Sequence, residues 1–193
     1  MVLFIEIIID KKIHGAQILS ILYQMKNCGI ESVQNLFEEL LFDLHMILYN
    51  QIISWIFKGE IQDKYEEFFI SENQKEENLS QISFDFMDSF FTKNDKLGWE
   101  MFSIKSSLIP SYISIKLAED ILFTGRASKV INPNERIKEN KEFEKLFQIK
   151  NFDIIEFEKV VLGFKNIMAK KLWKLIVIEN DLNLQIKVKK KKK

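Results

Sequence analysis

The chain has 193 residues, of which 47% are hydrophobic and 29% are charged, and its formal net charge at pH 7 is zero. This hydrophobic fraction can build a core and the length suits one domain or a large piece of one, so disorder over the whole chain is excluded. The single cysteine, Cys28, excludes an intramolecular disulfide and favours a reducing compartment such as the cytosol or nucleus.

The opening segment Met1 to Asp10 is strongly apolar. It lacks the basic start of a signal peptide, contains Glu6, and is not followed by a small-residue cleavage site. It is also too short to span a bilayer. We interpret it as the end of a buried helix, with a strand or a targeting segment as alternatives, and we expect no transmembrane segment.

A long central helix is predicted from Ser32 to the residue before Gly59. Its apolar side chains repeat at three- and four-residue spacing and form a wide stripe, which needs neighbours on more than one side and therefore indicates a helical bundle. The stripe comprises Phe37, Leu40, Leu44, Leu48, Ile52 and Trp55, broadened by Leu41, Ile47 and Ile56.

Two extended segments follow, Phe68 to Ile70 and Trp99 to Ile104, and they predict a small β-hairpin. The connection between them contains Phe84, Phe86, Phe90 and Phe91, which predicts that part of it folds back on the bundle. Residues 60–77 carry seven acidic side chains against two lysines. We interpret that run as a solvated rim of the fold and not as a metal site.

The segment Leu108 to Gly125 contains the most distinctive order of residues. Pro110 pushes Ile109 into an extended conformation, and Ser111 or Ser114 is placed to cap a helix. The helix has an apolar face of Leu117, Ala118, Ile121 and Leu122, and Gly125 is expected to close it in a left-handed cap.

The last long helix has a strong start signal, because Asp153 and Glu156 form a capping box and Phe152 and Phe157 occupy the positions of a hydrophobic staple. Its predicted core stripe is Phe157, Val160, Val161, Phe164, Met168, Leu172, Leu175 and Ile176. Trp173 lies beside this stripe. We expect it to pack in the core, with an exposed anchor for a partner as the alternative.

Catalytic motifs are not found in the sequence. His14, His45 and Cys28 have no metal-ligand partner at helical or finger spacing, and glycine-rich nucleotide loops and strained serine turns do not occur. Acid pairs such as Glu66 and Glu67 are adjacent, so on a helix their side chains diverge by about 100°. We therefore expect a non-enzyme with no catalytic residues, no cofactor, no metal and no small-molecule substrate.

Four stretches besides Leu108 to Gly125 carry a family resemblance. They are Lys12–Gly15 with Gln17–Leu19, Tyr49–Gly59, Asp63–Ile70, and Phe157–Val161 with Leu172–Leu175 and Asp181–Leu182. Together the five stretches resemble the gamma-tubulin complex components, a family that includes the yeast spindle-pole-body components. The spacing around Leu172 is most similar to the smallest member of the family. Ser114 departs from the family, which usually has proline there, but either residue suits a helix start.

The resemblance implies a mainly α fold, the helical bundle of the family's N-terminal gripping domain with a small β-hairpin. It also implies a structural component of the gamma-tubulin complex, which supports microtubule nucleation through lateral contacts with other components. The expected location is the cytoplasm and cytoskeleton, at microtubule-organising centres and spindle poles. Tyr112 and the helix Ile115 to Phe123 are carried over as fold determinants, and no lateral-contact residue is assigned.

The resemblance covers Ile13 to Lys187, about the middle third of a typical family member. We assign residues 1–186 to a partial gripping domain and residues 187–193 to a polylysine tail. The C-terminal domain to which the family assigns gamma-tubulin binding is not expected in these residues, so direct binding to gamma-tubulin is doubtful. The tail holds six lysines and leaves residues 1–186 with 22 basic against 28 acidic side chains. The alternative function is therefore a small helical adaptor that docks on RNA or an anionic membrane through its polybasic tail.

Overall fold

The computed structural model describes residue 6 and residues 8–72, 101–131 and 153–191, with side chains described up to residue 175 and at residue 177 in the last segment. In chain order the elements are α1 (Ala16–Met25), α2 (Glu31–Lys58), β1 (Ile70–Glu72), β2 (Phe102–Ile104), a 3-10 turn (Ser106–Leu108), α3 (Ile115–Val130) and α4 (Ile154–Lys191). The predicted fold class, mainly α with a small β-hairpin, is confirmed.

Helix α2 forms the centre of the fold. It ends at Gly59, whose φ of 68° is left-handed and suits glycine, so both predicted boundaries are confirmed to within one residue. The predicted stripe is buried or half-buried except at Ile47, which is 54% exposed. The expectation that Ile47 broadens the core face is wrong, because this side chain lies on the rim of an open groove between α1 and α2.

The hairpin α1–α2 packs antiparallel, with Ala16, Leu19 and Leu22 of α1 buried. Before it, the described residues of the opening segment, Glu6 and Ile8–Asp10, are helical. Their helical state is as expected. Ile9 is nevertheless 67% exposed, so burial of this segment is not confirmed at that side chain.

Helices α2, α3 and α4 run parallel to one another. Later residues of α2 contact later residues of the α3 segment: His45 contacts Tyr112, Trp55 contacts Ile121, and Phe57 contacts Ser128. Contacts between α2 and α4 advance in the same way, with Tyr49 against Phe157 and Phe57 against Phe164. In chain order the β-hairpin lies between α2 and α3.

The β-hairpin pairs β1 with β2 in antiparallel orientation, with Ile70 opposite Ile104 and Glu72 opposite Phe102. Strand β1 is as long as the predicted segment Phe68 to Ile70 but lies two residues later, and the buried Phe68 and Phe69 precede it. Strand β2 covers the last three residues of the predicted segment Trp99 to Ile104. Phe102 packs on Trp55 at 4.7 Å between ring centroids and fixes the hairpin to α2. Trp99 and the four phenylalanines of the connection (Phe84, Phe86, Phe90 and Phe91) lie outside the described residues.

Helix α3 does not end at Gly125. It continues to Val130, and its last residues Ala127 and Ile131 form a second small core with Met168 and Leu172 of α4. The expectation of a left-handed cap at Gly125 is wrong. The glycine is required for another reason, since a Cβ there would come closer than 3.0 Å to the Trp55 indole ring.

Helix α4 begins where it was predicted, with the Asp153 carboxylate accepting the Ile155 backbone N–H at 2.8 Å. The return contact from Glu156 that would complete a capping box stays a prediction. Phe152, the other half of the expected staple, lies outside the described residues. The core stripe is confirmed, with Phe157, Val161, Phe164, Met168 and Leu172 buried, whereas the side chain of Ile176 is not described.

Trp173 is 57% exposed, so the expectation that it packs in the core is wrong. Helix α3 ends beside Leu172, and α4 continues for about 28 Å beyond that point at 1.5 Å per residue.

Candidate functional site

The distinctive segment Leu108 to Gly125 lies against both helices of the α1–α2 hairpin. Ile109 is extended, with φ −82° and ψ 125°, as Pro110 requires. The Ser111 N–H then donates to the Ser20 hydroxyl of α1 at 2.9 Å. Ser114 caps α3 by accepting the Leu117 N–H at 3.1 Å. Of the two predicted caps, Ser114 is therefore the one used, and Ser111 instead ties the segment to α1.

A buried polar pair lies at the centre of this contact. The Nε2 atom of His45 and the hydroxyl of Tyr112 are 2.7 Å apart and share a hydrogen bond. Around them, the Tyr49 ring stacks on His45 at 5.9 Å and the Tyr23 ring lies 4.5 Å from Tyr112. The cluster joins α1, α2 and the entry to α3, which gives the fold-determining role expected of Tyr112 a physical basis.

Both members of the pair are neutral at pH 7. Burial, with a smaller contribution from Lys26, lowers the pKa of His45 to about 4. Burial, assisted by Tyr49 and Tyr23, raises the pKa of Tyr112 well above its usual value. A proton transfer from Tyr112 to His45 is strongly uphill, so this pair is a structural hydrogen bond and does not form an acid–base couple suited to catalysis near pH 7.

The other chemistry-bearing residues do not converge. His14 is bound through Nδ1 to the Lys12 carbonyl at 2.9 Å, and Cys28 is exposed at the turn after α1. Within the described parts of the chain, no group of three or more His, Cys, Asp or Glu side chains is placed to hold a metal ion.

One acid of the run 60–77 has a structural role that the sequence did not reveal. Asp63 accepts the Phe68 backbone N–H at 2.7 Å through Oδ2 and the Gln51 side-chain amide at 3.4 Å through Oδ1. It therefore folds the loop that leads from α2 to β1. Asp63 does not precede a helix, so no capping pattern would mark it as a loop organiser.

An open groove lies between α1 and α2. It encloses about 90 Å³ and is lined mainly by apolar side chains, among them Ile18, Leu44, Ile47 and Leu108, with Gln51 and Glu67 as polar members. Binding sites for small molecules usually measure roughly 300–1,000 Å³, so this groove is small for such a ligand.

Helix α2 is also long and apolar enough to cross a membrane by length and composition, the one such helix among the described residues. Half of the apolar window is buried inside the fold. Its apolar residues are therefore used in packing against α1, α3 and α4, as the core helix of a bundle requires.

The family model described as Gamma tubulin complex component N-terminal matches residues 1–179. Among individual proteins, the chain is 29% identical to gamma-tubulin complex component 4 of Homo sapiens, over 95% of this chain and 32% of that protein. It is 30% identical to the gamma-tubulin complex component 4 homolog of Medicago truncatula, over 91% of this chain and 31% of the relative.

A more distant relative is spindle pole body component 98 of Dictyostelium discoideum, 31% identical over 63% of this chain and 13% of that protein. The chain spans about a third of the length of the component 4 proteins it matches.

Proposed function

The chain belongs to the gamma-tubulin complex component family, and on that premise we propose that it acts as a non-enzymatic scaffold that supports microtubule nucleation through lateral contacts with other components. The match of the N-terminal family model to residues 1–179 carries this proposal. Residues 1–186 then form part of the gripping domain, and the site of action is the microtubule-organising centre or spindle pole.

The placement of the distinctive residues supports a scaffold. Tyr112 is hydrogen-bonded to buried His45, Ile121 is fully buried, and Gly125 is pressed against Trp55. Such residues determine a rigid body and do not present chemistry to a substrate. Affinity between scaffolds comes from broad surfaces with a few aromatic anchors, which need no enclosed pocket.

Co-expression with other gamma-tubulin complex components, followed by size-exclusion chromatography, tests the proposal. We expect residues 1–193 to elute with a partner component in a complex that survives moderate salt. Elution as a free monomer in the presence of every component would contradict the proposal. Tight direct binding to gamma-tubulin alone would contradict the proposal that the chain acts through lateral contacts with other components, since the resemblance assigns gamma-tubulin binding to the family's C-terminal domain.

The second candidate, an adaptor that docks on RNA or an anionic membrane, is favoured by the six lysines among residues 187–193. Deletion of Lys189 to Lys193 separates the two candidates. Electrostatic docking falls steeply with salt and is lost on deletion, whereas contacts between components persist.

A further inference from the structure

Helix α4 exposes a second apolar stripe on the side away from the core. Of the eleven large hydrophobic side chains that are exposed among the described residues, five lie on α4. Four of these fall within about 60° of one another around the helix. They are Ile155, Leu162, Trp173 and Val177, which are 60%, 44%, 57% and 41% exposed. We name these four residues, together with Lys159, Lys170 and Lys174, the outer α4 face.

The stripe is flanked by positive charge. From Lys159 to Val177 the sequence has five lysines and no acidic residue. Lys165 forms a 2.6 Å ion pair with Asp120 of α3 and so belongs to the bundle side. Lys159, Lys170 and Lys174 are exposed, and they lie within about 100° of Trp173 around the helix. From Lys159 onward the outer α4 face is apolar at its centre with positive charges beside it, whereas the exposed Glu156 and Glu158 flank Ile155 at its start.

These features fit a protein helix better than a membrane. Asn166 and the lysines interrupt the apolar side chains, and the opposite side of α4 is fixed to the core through Phe157, Phe164 and Met168. A helix with anchors spaced by seven, eleven and four residues presents a ridge that a second helix can pack along. Trp173 stands where α3 ends, so a partner can reach its ring beside the bundle.

We propose that the outer α4 face docks an acidic amphipathic helix of a partner protein, with Trp173 as the anchor and Lys159, Lys170 and Lys174 pairing with its carboxylates. The inference deepens the proposed scaffold function and rests on it for the existence of a partner. Buried aromatic anchors dominate such interfaces, while the flanking charges select the partner and accelerate its association.

A synthetic probe tests the surface directly. The probe is a fluorescent helical peptide with leucines at i, i+4, i+7 and i+11 and glutamates beside them, and the matched peptide has every glutamate replaced by lysine. We expect the acidic peptide to bind the full chain and the basic peptide not to bind. Trp173→Ala, and separately the pair Lys170→Glu and Lys174→Glu, should weaken binding at least about tenfold, or 1.4 kcal/mol.

The matched control is the pair Lys105→Glu and Lys116→Glu, which makes the same charge change at exposed positions outside α4. This control should bind within about twofold of the parent chain, apart from the general effect of net charge.

Three results would overturn the proposal. The first is that the acidic and basic peptides bind equally, or that the Trp173→Ala variant binds the acidic peptide as tightly as the parent chain does. The second is a Trp173 side chain already shielded from acrylamide quenching in the isolated chain, which would mean that another part of the chain covers it. The third is binding to phosphatidylserine vesicles, lost in the Lys170→Glu and Lys174→Glu variant, without peptide binding. If one of these results is found while the Trp173→Ala and lysine variants still elute with other components, the proposed scaffold function stands and only the assignment of the outer α4 face fails.

Discussion

Replacing Gly125 with alanine tests the contact that holds α3 to α2. The added Cβ would come closer than 3.0 Å to Cε2, Nε1 and Cδ2 of the Trp55 ring. The indole is fully buried, and its N–H donates to the Ile121 carbonyl at 3.0 Å. The ring cannot move aside without losing this hydrogen bond or disturbing its contact with Phe102, whose ring centroid lies 4.7 Å away.

Opposing effects set the size of the change. Alanine is favoured over glycine inside a helix by about 0.5–1 kcal/mol. Overpacking a core costs about 1–3 kcal/mol, and leaving the buried indole N–H without its acceptor costs about 1–3 kcal/mol. The cost of the clash exceeds the gain in helix propensity, so we expect Gly125→Ala to lower the free energy of unfolding by about 2–4 kcal/mol.

Urea unfolding followed by circular dichroism measures the difference. Gly163→Ala is the matched control, because Gly163 lies within α4 and a Cβ there would meet nothing within 4 Å. This variant should be unchanged or more stable by up to about 1 kcal/mol. A Gly125→Ala midpoint equal to or above that of the parent chain, with the same m-value, would refute the close-packing account.

Three further changes test the polar contacts. The folded pKa of His45, about 4, lies below its unfolded value of 6.5, so between these values the unfolded chain binds more protons and stability rises with pH. Acidification from pH 6.5 to pH 4 should therefore lower the free energy of unfolding by about 3 kcal/mol. If the free energy of unfolding of His45→Gln falls as steeply between pH 6.5 and 5 as that of the parent chain, His45 is excluded as the source of the pH dependence. Tyr112→Phe removes the hydroxyl that bonds His45 and should cost about 1–3 kcal/mol by urea unfolding, while NMR titration should still find the imidazole neutral at pH 7. Ser114→Ala removes the α3 cap and should cost about 1 kcal/mol in the same unfolding assay; no change in the midpoint would mean that the cap contributes little.

Helix boundaries were predictable where a local pattern sets them. Gly59 takes a left-handed conformation, Asp153 accepts the N–H of Ile155, and Ser114 accepts that of Leu117. Each of these signals acts within a few residues of the chain. Gly125 carries the same local signal as Gly59 and yet lies inside a helix, because its role is set by a ring 70 positions earlier in the sequence. A single sequence does not distinguish these two reasons for a glycine.

Long-range partners were the part that the sequence could not supply. His45 lies on the central helix without any neighbour that marks it, and its bond to Tyr112 crosses 67 residues. Trp173 has the spacing of a core-flanking residue, but the place beside the end of α3 is taken by Leu172, and Trp173 lies on the side of α4 that faces away from the core.

The distinctive residues and the outer α4 face proposed for docking are different parts of this chain. Tyr112, Ile121 and Gly125 face inward, so changes there would act on every contact at once by loosening the bundle. Trp173 and Lys170 face outward and can change without a cost to the core. Stability measurements should accordingly respond to Gly125→Ala and not to Trp173→Ala, while partner binding by the folded chain should respond to Trp173→Ala.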